Sequence, residues 1–245
     1  MKYNWPIIKL NEVDSTNIYA NSLIADNKLN SETVISAYYQ NHGRGQAGNT
    51  WESEAGQNLT FSIVLFSKFI PVEKQFALTE VTSLALCSFL GKHKITTKIK
   101  WPNDIYVGEK KIAGILIENS IMGNTISHSC IGVGLNVNQS VFSDYLPKAT
   151  SMKLLTHKEY NLTELLNDLL ISFQERLNQL KANEYDNLRE AYESNLFHFN
   201  AWHLYKFGDK TFKGKIIDIK ETGELVILSD DGKTSSFMFK EIVFL

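Results

Sequence analysis

Residues 100–118 have the sequence Lys-Trp-Pro-Asn-Asp-Ile-Tyr-Val-Gly-Glu-Lys-Lys-Ile-Ala-Gly-Ile-Leu-Ile-Glu. A polar turn ends in Asn103 and Asp104, a short apolar run follows, and a glycine-containing turn at 108–109 leads to a second apolar run. Two strands joined by a tight turn of this kind predict a β-hairpin. The hairpin brings an amide, a carboxylate and the Lys111 ammonium group together on a stiff scaffold. Such a set suits a charged, oxygen-rich ligand, for which phosphate is the obvious candidate.

A glycine-rich loop at 43–51, Gly-Arg-Gly-Gln-Ala-Gly-Asn-Thr-Trp, lies between two predicted strands. It has neither the Gly-Lys-Ser/Thr of a phosphate-binding Walker loop nor a GxGxxG that opens a helix. Its glycines allow backbone N–H groups to turn inward around an anion, and Arg44 adds a permanent charge with forked donors. Only two other arginines occur, Arg176 and Arg189. The alternative interpretation is a tight loop with a solvated arginine.

Apolar periodicity predicts alternating strands and helices in most of the chain. The leucines between Leu162 and Leu180 repeat at i, i+3, i+4 and i+7 after an Asn161 cap, which predicts a helix packed on the core. A further helix reaches about residue 196, and residues 138–151 form a long loop of the kind that often closes over a site. Strands are predicted at 7–10, 33–39, 59–66 and 126–137, and helices at 14–25 and 72–90, the second with Gly91 as its C-terminal cap.

The texture of the sequence changes near residue 200. Short β-like runs at 215–219, 224–228 and 235–239 are separated by glycines at turn positions. This spacing predicts a small barrel of SH3-like size. We therefore predict two domains, at 1–199 and 200–245.

Composition narrows the function class. With 43% hydrophobic residues, 21% charged residues and a formal net charge of -2, the chain has no bias towards binding a polyanion. Cys87 and Cys130 have neither metal-ligand nor disulfide-framework spacing, so both are expected to be buried free thiols. The six histidines are scattered and predict no zinc site or catalytic triad. The N-terminus has no apolar signal region and no membrane-spanning run occurs, which predicts a cytoplasmic protein.

The order of the motifs resembles that of the biotin protein ligases, in which Lys-Trp-Pro-Asn-Asp, a short turn and Lys-Ile/Leu-Ala-Gly-Ile-Leu-x-Glu follow one another. The family's Gly-Arg-Gly loop precedes that signature, as it does here. Residues 14–17 (Asp-Ser-Thr-Asn) and Gln40 match upstream, and residues 132–138 resemble the family's Gly-x-Gly-Ile/Leu-Asn strand end. The resemblance runs from about residue 10 to residue 140.

This resemblance implies an α+β fold, with a mixed β-sheet flanked by helices as in class II aminoacyl-tRNA synthetases and biotin–lipoate ligases, and a small C-terminal SH3-like β-barrel. It implies ATP-dependent activation of biotin to biotinyl-5′-AMP, with release of diphosphate. Biotin then passes to a lysine of a biotin carboxyl carrier protein domain, with release of AMP. Mg²⁺ is implied as the companion of ATP, the enzyme is expected to be a monomer or a homodimer, and no membrane partner is expected.

Carried over residue by residue, the resemblance implies three overlapping sets of site residues and no metal site built from protein ligands alone. The catalytic set is Arg44, Asp104 and Lys111. The biotin-binding set is Ser15, Thr16, Asn17, Gln40, Arg44, Gly45, Gln46, Lys111 and Gly114. The set that binds ATP and the adenylate is Arg44, Trp51, Asn103, Asp104, Lys111 and Asn136. The hydroxyls and amides of the biotin set suit a ureido group, which has one carbonyl acceptor and two N–H donors.

Each of these residues also has a simpler interpretation. Ser15 or Asp14 could merely cap a helix. Lys110 and Lys111 could be a solvated pair at a strand edge, Asn136 could end a strand, and Asn103 and Asp104 could be plain turn residues. Trp51 and Trp101 could both line the pocket, but from the residues alone we expect core packing for both.

The glycine loop departs from the family pattern at two positions. Many bacterial members have a second arginine where this chain has Gln46, and another basic residue where it has Asn49. Either Lys111 and magnesium then carry more of the phosphate charge, or the loop is less strongly ordered by ligand. We expect weaker retention of the activated intermediate, and we expect the glycine loop and the 138–151 segment to become ordered when biotin and ATP bind.

Three other functions are compatible with parts of this sequence. A lipoate–protein ligase or octanoyltransferase resembles this fold, but an aliphatic acyl chain needs no ureido partners such as Ser15–Asn17 and Gln40. A transcriptional repressor that senses biotinyl-AMP would need a DNA-binding domain, and only about ten residues precede the first motif, so DNA binding is not expected. An inactive binding module is disfavoured because Arg44 and Lys111 are both retained.

Overall fold

A seven-stranded mixed sheet forms the centre of the computed structural model, which describes residues 3–143 and 148–245. Its strands are β1 (Ile7–Val13), β2 (Thr33–Gln40), β3 (Leu59–Leu65), β4 (Lys98–Lys100), β5 (Asp104–Val107), β6 (Lys110–Met122) and β7 (Thr125–Leu135). They lie in the order β1-β2-β3-β7-β6-β5-β4. The first pair is parallel and the remaining pairs are antiparallel.

The predicted hairpin is confirmed. Val107 of β5 pairs with Lys110 of β6, so two residues form the turn, and Gly108 has a φ of 56°. A turn residue with positive φ favours glycine, because a Cβ atom is strained there. The turn sets the register that places Tyr106 opposite Lys111. It therefore fixes where Lys111 stands relative to Asp104, at the start of β5.

Helices cover both faces of the sheet. They are α1 (Thr16–Ala25), α2 (Ala77–Lys92), α3 (Met152–Thr156), α4 (Leu162–Lys181) and α5 (Tyr185–Ser194). In β2, Val34 belongs to the large core beneath α2 and α4, whereas its neighbour Ile35 packs in a smaller cluster with Ala20 of α1. Successive side chains of a strand point to opposite faces, so α1 lies on one face and α2 and α4 on the other.

The predicted helices are present, but α2 needs two corrections. It begins at Ala77 instead of about residue 72, where Val72–Lys74 forms a separate short 3₁₀ helix, and its C-terminal cap differs from the prediction. Asn161 caps α4 by accepting from the backbone N–H groups of Thr163 and Glu164, as its position before the leucine repeat predicts. The assignment of Gly91 as the C-terminal cap of α2 is wrong. The helix continues through Lys92, and the left-handed residue after it is Lys94, with a φ of 62°. A Cβ atom at position 91 would meet no neighbouring atom within 4 Å, so the structure does not require glycine there, and the helix does not end at this residue.

A second sheet of five antiparallel strands follows the helices. Its strands are β8 (Trp202–Phe207), β9 (Lys210–Ile219), β10 (Leu225–Ser229), β11 (Thr234–Phe237) and β12 (Ile242–Phe244), in the order β11-β10-β9-β8-β12. The Trp101 indole Nε1 donates to the Gly223 carbonyl at 2.9 Å, and the Trp101 ring packs on Phe239 at 5.2 Å. The core-packing role expected for Trp101 is thus confirmed, and it ties this sheet to the first.

The expectation of buried free thiols is confirmed for Cys130 and only partly for Cys87. Cys87 and Cys130 are free thiols, the first half-buried and the second buried. Among the described residues no helix is long and apolar enough to cross a membrane. Part of the predicted 138–151 loop, residues 144–147, lies outside the described residues. The division at residue 200 stays a prediction.

Candidate active site

A cavity of about 210 Å³ opens where the glycine loop, the start of α1, the β5–β6 hairpin and β7 meet. It brings together residues that lie up to 225 positions apart in the sequence, from Ser15 to Lys240. Of the residues named from the sequence, those that line it are Ser15, Thr16, Asn17, Gln40, Arg44, Gly45, Gln46, Trp51, Asn103, Asp104, Lys111 and Gly114.

One end of the cavity is neutral and polar. Ser15 occupies the N-cap position of α1 but makes no capping hydrogen bond, so helix capping does not account for it. The Thr16 backbone N–H and hydroxyl both approach Gln40 Oε1, at 2.8 and 3.1 Å. Ser62 Oγ lies 2.7 Å from Thr16 Oγ1 and 2.6 Å from Asn17 Oδ1. The set is pre-arranged, because its members hold one another.

Glycine makes room for this arrangement. Ser15, Thr16 and Asn17 are all buried. A Cβ atom on Gly132 of β7 would lie 2.7 Å from Asn17 Oδ1, closer than real Cβ contacts come. The first glycine of the Gly-Val-Gly-Leu-Asn motif therefore lets the Asn17 amide lie against the strand.

The other end of the cavity is charged. Lys111 Nζ and Asp104 Oδ1 form an ion pair at 2.7 Å, with 32% and 26% of the two side chains exposed. Arg44 Nη1 lies 3.0 Å from Glu118 Oε1, and Arg44 is 45% exposed. Asn103 Nδ2 donates to the Ile115 carbonyl of β6. Asn103 and Asp104 are thus more than turn residues, and Lys111 is not a solvated edge lysine.

Trp51 lies between two cavities. Its indole packs on the backbone of β7, where a Cβ on Gly134 would come within 2.2 Å of the ring, and Lys111 Nζ is 5.7 Å from the ring centroid. Trp51 and Arg44 also line a second, open cavity of about 1070 Å³, which the glycine loop and Phe142 border as well. An aromatic face beside open space offers a stacking surface for a base.

Asn136 is not brought together with the other candidates. It is buried just after β7, its Nδ2 donates to the Thr150 carbonyl at 3.0 Å, and it lines neither cavity. Its Oδ1 has no partner among the described residues. The amide therefore fastens the segment that returns from the 138–151 loop, and contact with adenine stays a prediction.

Four residues of the site were not identified from the sequence. Ser62 of β3 and Glu118 of β6 hold the named residues in place, and Phe239 and Lys240 from the C-terminal sheet line the cavity wall. Glu118 is the last residue of the 100–118 motif, so its place in that motif could have identified it as a site residue. The other three have no local pattern that distinguishes them from ordinary strand and turn residues.

Two groups near the site are unsuited to nucleophilic chemistry. Burial raises the pKa of the Cys130 thiol to about 12, and the Glu118 carboxylate adds to the effect. Burial, with a smaller contribution from Asp104, raises the pKa of Tyr106 to about 12. Both side chains are neutral near pH 7, so neither supplies an anionic nucleophile.

The charged end of the cavity supplies part of a Mg²⁺ site. Among the described residues no three His, Cys, Asp or Glu side chains are grouped to hold a metal ion. Asp104 supplies a carboxylate at the charged end of the cavity. Mg²⁺ usually binds one or two carboxylates together with substrate phosphates, keeping several waters. The residues therefore fit a Mg²⁺ ion that arrives with a nucleotide, and they do not form a complete metal cage.

The mixed sheet carries a neutral polar pocket that adjoins a charged end. A model described as the biotin/lipoate A/B protein ligase family matches residues 10–136, more than half of the chain. The chain belongs to this family, as the order of its motifs predicted.

Individual relatives agree with the family assignment. The bifunctional ligase/repressor BirA of Bacillus spizizenii is 29% identical over 224 residues, covering 90% of this chain and 68% of the relative. BirA of Escherichia coli is 34% identical over 128 residues, or 51% of this chain and 38% of the relative. This chain thus spans about two thirds of the first relative and less than half of the second.

A solved structure covers nearly the whole chain. The biotin protein ligase from Aquifex aeolicus in complex with biotin and ATP superimposes with a TM-score of 0.82 at 28% identity, over 98% of both chains. The α+β fold, with its mixed sheet, flanking helices and C-terminal β-sheet, is therefore confirmed.

Proposed function

We propose that this protein is a biotin protein ligase, which activates biotin with ATP and transfers it to a lysine of a biotin carboxyl carrier protein domain. The observation that carries the proposal is the shared cavity. It joins a neutral hydrogen-bonding pocket to two cationic side chains, which matches a ligand with a ureido ring at one end and a carboxylate at the other.

The buried polar end is proposed to bind the ureido ring. A ureido group has one carbonyl oxygen and two N–H groups, and buried polar groups need partners for all of them. Ser15, Thr16, Asn17 and Gln40 offer hydroxyl and amide groups of both kinds. Gly114 leaves space beside Lys111, because a Cβ there would lie 3.2 Å from Lys111 Nζ.

The charged end is proposed to run the adenylation step. A carboxylate oxygen of biotin attacks the α-phosphorus of ATP, the bond from that phosphorus to the bridging oxygen breaks, and diphosphate leaves. Negative charge grows on the phosphoryl oxygens during this step, and preorganised cations stabilise it most where it develops. Arg44 and Lys111 supply these cations, with Gly45 and Gln46 beside the new linkage. Asp104 would help to hold a Mg²⁺ ion that arrives with ATP, and the ion would supply further charge neutralisation.

The same end is proposed to serve the transfer step. The amine of the acceptor lysine attacks the acyl carbon, the acyl–phosphate bond breaks, AMP leaves with the electron pair and the amine loses a proton. Asp104 lies at the hairpin, where it orients the incoming amine. Trp51 and Asn103 are assigned to the nucleotide, and Trp51 offers its ring as a stacking surface. Asn136 is assigned to adenine.

The proposal includes a cellular setting. Free thiols at Cys87 and Cys130 suit a reducing compartment, and we propose a cytoplasmic enzyme that acts as a monomer or homodimer. We further propose that 1–199 is the catalytic domain and 200–245 an SH3-like domain. Ligase activity is the function proposed, and repression is not carried over from the bifunctional relatives.

One incubation tests the proposal against its nearest rival. The protein is mixed with ATP, Mg²⁺ and a carrier domain, with either biotin or lipoate, and the mass of the carrier is measured. We expect a biotin-sized gain on one lysine, and no gain when Lys111→Ala replaces the wild type. A gain with lipoate alone, or no gain with either acid, would overturn the proposal.

A further inference from the structure

A single carboxylate connects the two ends of the cavity. Glu118 Oε1 lies 3.0 Å from Arg44 Nη1, and Glu118 Oε2 accepts from Asn17 Nδ2 at 3.0 Å. Asn21 Nδ2 lies 3.4 Å from the same oxygen. The two oxygens of Glu118 are therefore divided between the anion-binding arginine and the neutral pocket.

These contacts form a chain of side-chain interactions that leads from Gln40 to Arg44, and the backbone between these two residues closes it into a ring. Gln40 contacts Thr16, Thr16 contacts Ser62, and Ser62 contacts Asn17. Asn17 then reaches Glu118, which holds Arg44, and Arg44 lies only four positions after Gln40 in the chain. The ring begins at the end of β2 and returns to the loop that leaves β2.

From this geometry we infer that Glu118 is a positioning residue, which aims the Arg44 guanidinium into the cavity and couples its orientation to the neutral pocket. Arg44 lies on a glycine-rich loop, which has many backbone conformations to lose. A guanidinium has five N–H donors in a fixed fork. The contact to Glu118 restrains the position of one guanidinium nitrogen and leaves further donors for an anion.

The pair affects orientation more than folding. Both side chains are partly exposed, at 45% for Arg44 and 29% for Glu118, and ion pairs of this kind add little to the free energy of unfolding. A glutamine at position 118 keeps an oxygen that can accept from Asn17. It loses the charge and can place its own N–H donors against the guanidinium, so it removes the positioning of Arg44 selectively.

This inference rests on the proposed function and deepens it, so the experiment must separate the two. Wild type, Glu118→Gln and Glu109→Gln are each loaded with biotin and ATP, and the release of biotinyl-AMP is followed after dilution. Glu109 is the matched control, because it pairs with Lys148 at the exposed hairpin turn outside the cavity. Thermal unfolding is measured for each protein.

We expect Glu118→Gln to release the intermediate about tenfold faster than wild type, with Tm nearly unchanged, and Glu109→Gln to behave as wild type. In an Arg44→Ala background, Glu118→Gln should change the release rate less than twofold, because its effect passes through Arg44. Glu118→Asp keeps the charge on a shorter side chain and should fall between wild type and Glu118→Gln.

The failures can be told apart. If wild type forms no biotinyl-AMP, the proposed function is wrong. If wild type forms it and Glu118→Gln releases it at the wild-type rate, the inference is wrong. An equal acceleration by Glu118→Gln with and without Arg44 would also overturn it, because Glu118 would then act by supporting Asn17. If Glu118→Gln does not fold, Glu118→Asp takes its place. A Glu118→Asp protein that releases the intermediate at the wild-type rate, even with a lower Tm, would overturn the inference.

Discussion

The two ends of the cavity differ in how their side chains are held. At the neutral end Ser15, Thr16 and Asn17 are buried, and Thr16 and Asn17 hydrogen bond to other elements of the sheet. At the charged end Arg44 and Lys111 are partly exposed, and each is paired with a carboxylate. One end is a rigid template, whereas the other holds its two cations near the surface in ion pairs that leave further N–H donors for an incoming anion.

This difference has a physical origin. Buried neutral groups must be satisfied inside the fold, so their positions are fixed before any ligand arrives. Charges near the surface are partly hydrated and can exchange partners at small cost. We therefore expect the neutral end to determine which acid binds, and the charged end to determine how fast that acid is activated and how long the product is kept.

The largest effect is expected from removing the lysine at the charged end. Lys111→Ala should lower the rate of biotin-dependent diphosphate release about 10²–10³-fold, as loss of one preorganised charge donor does in other enzymes. Biotin affinity should change far less. Lys110→Ala is the control, because Lys110 is an exposed neighbour on the same strand. A loss below threefold in Lys111→Ala would remove the assignment of catalysis to this end.

A mutation at the neutral end should have the opposite signature. In Gly132→Ala the new methyl group would displace the Asn17 amide, and a disrupted buried hydrogen bond costs about 1–3 kcal/mol. Biotin affinity, measured by calorimetry, should fall roughly 5–150-fold, with little change in the turnover number at saturating biotin. Gly91→Ala on α2 is the control, since a Cβ there meets nothing. Equal loss in both parameters would contradict the separation of roles.

The C-terminal sheet allows a smaller test of the charged end. Lys240 lines the same cavity as Arg44 and Lys111, so Lys240→Ala should raise the KM for ATP about fivefold, or about 1 kcal/mol. Lys206→Ala, an exposed lysine of the same sheet that lines no part of this cavity, should leave that KM unchanged. If the KM for ATP is the same in both variants, the C-terminal sheet lines the cavity without contributing a charge to ATP binding.

The smallest effect is expected from adding charge to the glycine loop. Gln46→Arg restores the second arginine of many family members and should slow release of biotinyl-AMP about threefold. Stopped-flow dilution of the loaded enzyme measures this rate. Gln57→Arg is the control, because residue 57 follows the loop and lines neither of the two cavities. An unchanged release rate would mean that Lys111 and Mg²⁺ already carry the charge that the loop lacks.

Local sequence was sufficient for some parts of this molecule. The β5–β6 hairpin was predictable because its turn, register and strands all lie within 19 residues. The Asn161 cap and the leucine repeat of α4 were predictable for the same reason. Gly91 was misread because α2 continues past it to Lys92, and the glycine itself has an ordinary helical conformation.

Long-range partners were beyond local reasoning. Ser62 contacts Thr16 across 46 positions, and Glu118 contacts Asn17 across 101. In the sequence Ser62 is an ordinary strand residue, because nothing nearby shows that β3 passes beneath α1. Lys240 lies after a strand of a different sheet. The pocket residues themselves were predicted through the resemblance, which places them by motif and leaves the residues that hold them unnamed.

Two backbone hydrogen bonds allow the docking of one segment to be followed by hydrogen exchange. The Lys111 amide N–H donates to the Lys148 carbonyl at 2.7 Å, and the Thr150 N–H donates back to the Lys111 carbonyl at 2.9 Å. Deuterium uptake at the Lys111 amide therefore records whether the chain returning from the 138–151 loop is docked. Exchange mass spectrometry on the peptide that contains this residue would time loop docking without any label, at the same residue whose side chain is proposed to carry the phosphate charge.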